Sequence, residues 1–204
     1  MQIFIPTRDR LDRQYTYSAI PDRWAAATTL VAPESEAAEH VERGRNVIAR
    51  PEHLSSQGTI ADTRQYIAEL APIKFGFLDD DLIFYRRNSP ADPYKPHRAS
   101  PDDVGDLLDF MSNTLDDYAH AGVAMRAFSN NFAHAYKENG RAIQATFFRR
   151  DALERYGVRF NAIPLMEDLW VTLSLLRAGE PNYITFEWLL AEKHGSAAPG
   201  GVPS

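Results

Sequence analysis

Apolar and polar positions alternate in blocks along the first eighty residues. Ile3-Phe4-Ile5 is a short apolar run closed by Pro6, which predicts a strand feeding a loop. The loop "PTRDRLDRQYT" is rich in Arg and Asp, and Tyr15, Ala19 and Ile20 then fall at helical spacing before Pro21. Residues 25–33 carry Thr28, Thr29 and Val31 before a proline stop, a second predicted strand. A third is predicted over 45–51. After a loop holding Gly58, the positions Ile60, Tyr66, Ile67 and Leu70 fit a helical stripe, with Thr59 as its cap and Asp62 three residues on. "KFGFLDD" is the next strand. Strand and helix in alternation predict a parallel sheet wrapped by helices, whose ligands gather at the carboxyl ends of the strands.

The second half is less regular. Residues 88–101, with four prolines, predict an irregular loop. A helix follows, with Asp102 and Asp103 in its first turn and an apolar stripe of Val104, Leu107, Leu108, Met111, Leu115 and Tyr118. "VAMRAFS" and "AIQATFFRR" read as strands flanking the polar turn "NNFAHAYKENG". "RRDALERYGVRF" is a short helix ended by Gly157, "MEDLWVTLSLLRAGE" an amphipathic helix stopped by Gly179, and "YITFEWLLAEK" a late strand. Residues from about 195 to 204 form a tail of small residues, expected to be flexible.

The 204 residues suit one domain, and 44% hydrophobic content supplies a core. Cysteine is absent, which excludes disulfides, thiolate nucleophiles and cysteine-ligated zinc. With no apolar run long enough to cross a bilayer and no leader-like start, the expectation is a soluble, cytoplasmic protein. A net charge of -6 argues against indiscriminate attraction to polyanions.

Against that background "FGFLDDDLIF" stands out. Asp79, Asp80 and Asp81 lie side by side at the end of an apolar strand, where unpaired carboxylates repel one another. A divalent cation with hard oxygen ligands, magnesium or manganese, relieves that repulsion, and such ions usually hold substrate phosphates as well. Glu167 and Asp168 open a later helix, where the dipole favours them and where one would serve as a general base. His194 follows the last strand and would add an imidazole to the metal. Arg8, Arg10 and Arg64 are placed to meet a phosphate or base edge. Neither a Gly-x-Gly-x-x-Gly fingerprint nor a Walker loop is present.

Taken in order, "IPTRDR", "GFLDDDL", "FFRRDALERYGVRFN…MEDLWVTLSLLRAG" and "KHGS" resemble the glycosyltransferase A fold over most of the chain, 86–140 excepted. The resemblance implies an α/β fold with a Rossmann-like, mostly parallel central sheet flanked by helices, in a single domain over 1–204. Residues 1–85 would be the nucleotide-sugar-binding half and 86–204 the acceptor-binding half. It further implies that Asp79 and Asp81 form the Asp-x-Asp motif for ribose and metal, with Asp80 between them and the most tolerant of change. Asp168, or its neighbour Glu167, would be the catalytic base, and His194 would complete a Mn2+ or Mg2+ shell. Pro6, Thr7, Arg8 and Arg64 would line the pocket of a nucleotide-sugar donor, a UDP-sugar. Short length, the "IPTRDR" start and the "HGSAAPGG" ending are similar to the TET-associated glycosyltransferases of phages, which implies hydroxymethylated pyrimidine in DNA as acceptor and inversion at the sugar.

A DNA acceptor calls for a basic rim, and Arg86, Arg87, Arg149, Arg150, Lys95, His97, Arg98 and Arg126 are its candidates. Tyr85, Tyr94 and Phe132 are the aromatics available to stack on an extruded base. Three other readings fit the same residues: a transferase acting on a polysaccharide or small molecule, a nucleotidyltransferase, and a nucleotide-sugar-binding module without turnover.

Overall fold

The computed structural model describes residues 1–87, 95–129 and 132–193, apart from the side chains of Ser55, Ser56 and Phe128. In chain order the elements are β1 (Gln2–Pro6), α1 (Tyr15–Ala19), α2 (Asp22–Ala25), β2 (Thr28–Pro33), α3 (Glu34–Glu42), β3 (Val47–Arg50), α4 (Glu52–Ser56), α5 (Ile60–Leu70) and β4 (Lys74–Leu78). There follow β5 (Leu82–Arg87), β6 (Pro96–Arg98), α6 (Pro101–Asp117), β7 (His120–Met125), β8 (Tyr136–Glu138), β9 (Ala145–Arg149), α7 (Arg150–Arg155), α8 (Glu167–Arg177) and β10 (Asn182–Glu192).

One sheet runs through both halves in the order β3-β2-β1-β4-β9-β7-β10-β5-β6, with β8 paired to β10. The first four strands are mutually parallel. β9 reverses against β4, and β7 and β10 turn back to run parallel to each other. β5 reverses again, β6 returns, and β8 opposes β10. Seven of the ten strands therefore point one way, the mostly parallel α/β sheet that the alternation predicts.

Period-two burial explains why both faces are covered. In β1, Ile3 and Ile5 enter a core with Leu30, Val104, Leu107 and Met111, while Phe4 enters the opposite core with Ile67, Phe75, Phe77 and Val171. The second core contains an aromatic knot: Phe77 meets Phe75 at 5.4 Å and Phe160 at 5.2 Å, both edge to face. This knot seats α5 and α8 on the same face beside β4, so side chains from their first turns reach the end of that strand. Gly76 is required on the other face, where a Cβ would lie 2.5 Å from the Phe147 ring.

Helix boundaries follow local chemistry. Thr59 and Asp62 form a reciprocal capping box on α5, and Ser100 and Asp103 form another on α6. α7 and α8 are followed by Gly157 and Gly179 at positive φ, +61° and +88°. α3, β5, β6 and β8 have no counterpart among the elements that the apolar pattern predicts. α3 has no side-chain cap, β6 and β8 are three-residue strands, and β5 takes its register from β10, far along the chain. Strand β2 begins at Thr28 rather than residue 25 because α2 occupies the preceding turn. The C-terminal tail, His194 and Tyr94 lie outside the described residues.

His120, fully buried at the start of β7, stacks on Phe148 at 4.5 Å. Burial holds its pKa down to about 3, so between that value and about 6.5 the unfolded chain binds the extra proton and the folded chain does not. Stability therefore falls as pH drops below about 6.5. His120 alone should contribute a loss of about 2 kcal/mol between pH 7 and pH 5. Urea titrations at several pH values check this, and His120→Leu should flatten the slope over that interval whatever it does to stability at pH 7.

Candidate active site

The carboxyl ends of β1 and β4 meet at the acidic triplet. Its backbone is held by three segments distant in sequence. The Asp79 N–H donates to the Gln144 carbonyl at 2.8 Å, the Thr16 N–H to the Asp80 carbonyl at 3.2 Å, and the Lys193 N–H to the Asp81 carbonyl at 2.8 Å. Thr16 Oγ1 donates to the Asp79 carbonyl at 2.5 Å and accepts from the Leu82 N–H at 2.9 Å. The turn is thereby fixed residue by residue.

Two buried guanidinium groups divide the carboxylates between them. Arg10 Nη1 lies 2.5 Å from Asp80 Oδ1 and 2.9 Å from Asp81 Oδ2. Thr7 Oγ1 donates to Asp80 Oδ2 at 2.6 Å and accepts from Gln14 Nε2 at 2.7 Å. Arg64, rising from the first turns of α5 over the Phe77 ring, places Nη2 2.9 Å from Asp79 Oδ1 and Nη1 2.6 Å from Glu167 Oε1. Asp79, Asp80, Asp81 and Glu167 thus share two cations, and Asp168 lies close enough to add to the field at Arg64.

The surplus of negative charge is visible in Asp79. Its side chain keeps 33% of its surface open to solvent. Close packing around the carboxyl, together with Asp81 and Asp80, nevertheless pushes its pKa up to about 6 against the pull of Arg64. Burial also raises Asp80, opposed by Thr7 and Arg10.

α8 begins at Met166 in the left-handed region, φ +62°, an uncommon conformation for an unbranched residue outside a turn. That turn points both following acids inward, so Glu167 and Asp168 are buried. They differ in occupation. Glu167 is spent on Arg64, whereas Asp168 Oδ2 has no hydrogen-bond partner and the Arg141 Nη2 stands 3.9 Å from it.

The donor set fits a divalent cation in chemistry, with hard carboxylate oxygens and four acids sharing two guanidinium groups. Among the described residues no three acidic or imidazole groups converge on one point. Asp79 is the partly open position, Asp81 would serve as a second only on release of its 2.9 Å contact with Arg10, and His194 lies outside the described residues.

The expected residues are not all brought together. Thr7, Arg64, Asp79, Asp80, Asp81, Glu167 and Asp168 surround one edge, with Pro6 at the end of β1 and the half-exposed Arg8 beside Asp9. Arg10 is an internal counter-ion of the triplet rather than an open phosphate contact. Asp80, expected to tolerate change best, is the most engaged of the three. The acceptor candidates stand elsewhere on the sheet. Arg86 sits on β5 four residues past Leu82, and Arg149 on β9 four residues past Ala145, each about 13 Å along its strand from the triplet edge. Arg86 is bound by Asp103 and Asp106, Arg149 by Asp151, and Arg87 by the Ser129 and Phe132 carbonyls. Reversal of β5 and β9 carries these residues away, a direction that local pattern does not reveal. Of the stacking aromatics, Tyr85 lies under Arg126 at 4.3 Å and Phe132 packs on Phe186 at 4.0 Å. Thr16, Gln14, Gln144 and Arg141 went unnoticed because no motif marks them. No described helix is long and apolar enough to cross a membrane.

Solved structures with this architecture include a CMP:2-keto-3-deoxy-manno-octonic acid synthetase complexed with CTP, at TM-score 0.51 and 16% identity over 90% of this chain and 88% of that one. TarS of S. aureus matches at TM-score 0.51 and 12% identity, over 91% of this chain and 35% of its own. These likenesses establish the fold. The sequence supplies the family: residues 1–201 match the TET-Associated Glycosyltransferase (TAGT) family, and the chain belongs to it. It is a glycosyltransferase. Its relatives include the β-glucosyl-HMC-α-glucosyl-transferases of Enterobacteria phage T6, 22% identical over all of this chain and 75% of that protein, and of phage T2, 23% identical over 71% of this chain and 54% of that protein.

The two ends of the triplet should respond differently to truncation. Asp80→Ala removes two bonds from a buried carboxylate and should cost about 2 kcal/mol, lowering Tm by roughly 4–8 °C. Asp79→Ala, which removes one bond from a partly exposed carboxyl already disfavoured as an anion, should cost less than half as much. Paired thermal melts at pH 7.5 decide the order.

Proposed function

We propose that the enzyme transfers a sugar from a nucleotide-sugar donor to a hydroxyl on a hydroxymethylated pyrimidine in DNA, with inversion at the anomeric carbon. The observation that carries the assignment of roles is the unequal occupation of the two acids opening α8. Glu167 is neutralised by Arg64, and Asp168 keeps an oxygen without a hydrogen bond.

Asp168 Oδ2 accepts the proton of the acceptor hydroxyl as that oxygen attacks the anomeric carbon. The new carbon–oxygen bond forms on one face while the bond to the diphosphate breaks on the other, and the electron pair leaves on the diphosphate. Asp79 orients the donor ribose. Pro6, Thr7 and Arg8 border the nucleotide, with Thr7 acting through its hold on Asp80. Arg64 fixes the distance between donor-side Asp79 and the acids of α8, the kind of positioning that sets reactive geometry. Asp79 and Asp81, with His194, would hold Mn2+ or Mg2+, which supplies positive charge for the departing diphosphate.

The phage relatives named above carry HMC in their names, which supports a modified base in DNA as acceptor. UDP-sugars are the first donors to assay. With a donor at a hundredfold excess over its Kd, apparent stability should rise by about 2.7 kcal/mol, and more with manganese than without it.

Asp168→Asn should lower kcat by about 10²–10⁴-fold with donor affinity unchanged by calorimetry. Near-normal turnover in that variant removes Asp168 as the base. The relatives' names specify an α-glucosyl product, which from an α-linked donor such as UDP-glucose is retention rather than inversion, so the anomeric configuration of the product is the second readout. A product keeping the donor's own configuration overturns inversion.

A further inference from the structure

The segment between β8 and β9 forms a wall of the site. The Asn182 side chain accepts from the Gly140 N–H at 2.9 Å and donates to the Gly140 carbonyl at 2.8 Å. At the far end the Gln144 carbonyl accepts from Asp79, and Gln144 and Asn139 both adopt positive φ, +66° and +56°. Ala142 is fully buried against Gly122, where a Cβ would meet the Ala142 Cβ at 2.4 Å. Backbone on either side of Arg141 is therefore anchored, while its own side chain remains 53% exposed.

That side chain faces Asp168. Its Nη2 is 3.9 Å from Oδ2, too far for a hydrogen bond, and among the described residues it is the cation within 4 Å of this carboxylate. Oδ2 itself is closed off from solvent, so an acceptor hydroxyl reaches it only if a neighbour moves. Arg86 and Arg149 are held by short charge-assisted bonds to carboxylates. The pair between Arg141 and Asp168 has no such bond, and a guanidinium in that state exchanges readily for a bidentate phosphate contact.

We propose that Arg141 is a positioning residue that couples acceptor binding to the base. In the free enzyme its guanidinium neutralises and covers Asp168 Oδ2. A backbone phosphate of the acceptor strand draws it aside, which anchors the nucleic acid and opens Oδ2 to the incoming hydroxyl. The inference rests on Asp168 as base and DNA as acceptor.

The test compares wild type, Arg141→Gln and Arg141→Lys on two acceptors: an oligonucleotide bearing hydroxymethylcytosine or its β-glucosylated form, and the matching free nucleoside, which has no phosphate. Arg141→Gln should raise KM for the oligonucleotide about tenfold and, by uncovering Oδ2, make nucleoside transfer several-fold faster. Its slope of log(kcat/KM) against log salt should flatten by about 0.7–0.9, the value of one phosphate contact. Donor hydrolysis without acceptor, read as nucleoside diphosphate release, should rise several-fold because water gains Oδ2. Arg141→Lys should recover the salt slope and only part of the KM. Equal losses on both acceptors with an unchanged salt slope overturn the role of Arg141 while leaving the transferase reading intact. A wild-type enzyme that transfers to neither acceptor overturns the proposed acceptor, and this inference with it.

Discussion

A single buried guanidinium ties the site together. Arg64 stands on α5, yet its two terminal nitrogens bind the first acid of the triplet after β4 and the first acid of α8. Three elements separated by up to 103 residues converge on one planar group. Each carboxylate would be costly to bury alone, and so would the cation. Together they are acceptable in this arrangement, so the requirement to satisfy Arg64 also fixes the spacing between the acidic triplet and the acids that open α8. The aromatic knot beneath, with Phe77 under the guanidinium, supplies the rigid floor.

Arg10 does the complementary work on the other side of the triplet. By taking Asp80 and Asp81 it leaves Asp79, paired with Arg64, as the acid of the triplet with an open surface. The edge is thus graded from Asp80, whose role is to hold the loop after β1, to Asp79, which faces what arrives. Clustered charge that is only partly neutralised is poor for stability and suited to a site that binds a cationic or cation-bearing ligand.

Much of this was legible beforehand, for identifiable reasons. Strands β1, β2, β3 and β4 are short apolar runs with proline or acidic stops, and α5, α6 and α8 carry regular stripes with caps or terminal glycines, so periodicity located them. The triplet and the Glu167-Asp168 pair could be found because acids at the ends of buried elements need a reason. Strand direction could not. Whether β5 and β9 run with or against β4 depends on pairings across the whole chain, and this alone decided that Arg86, Arg87 and Arg149 lie away from the edge. Nor does any local signal show that Arg10 turns inward, or that Arg141 sits opposite Asp168, since surface and site arginines have the same neighbours in sequence.

The hydrogen bond from Lys193 to Asp81 has a practical side. Strand β10 spends eleven residues crossing the sheet and delivers the chain to within 2.8 Å of the acidic turn, whereas β1 starts at the opposite edge. A fluorophore attached just beyond Lys193 would begin its path beside the acidic turn, where it would report any ligand that settles there or obstruct it. A label at the first residue of β1 would instead stand across the sheet from that turn.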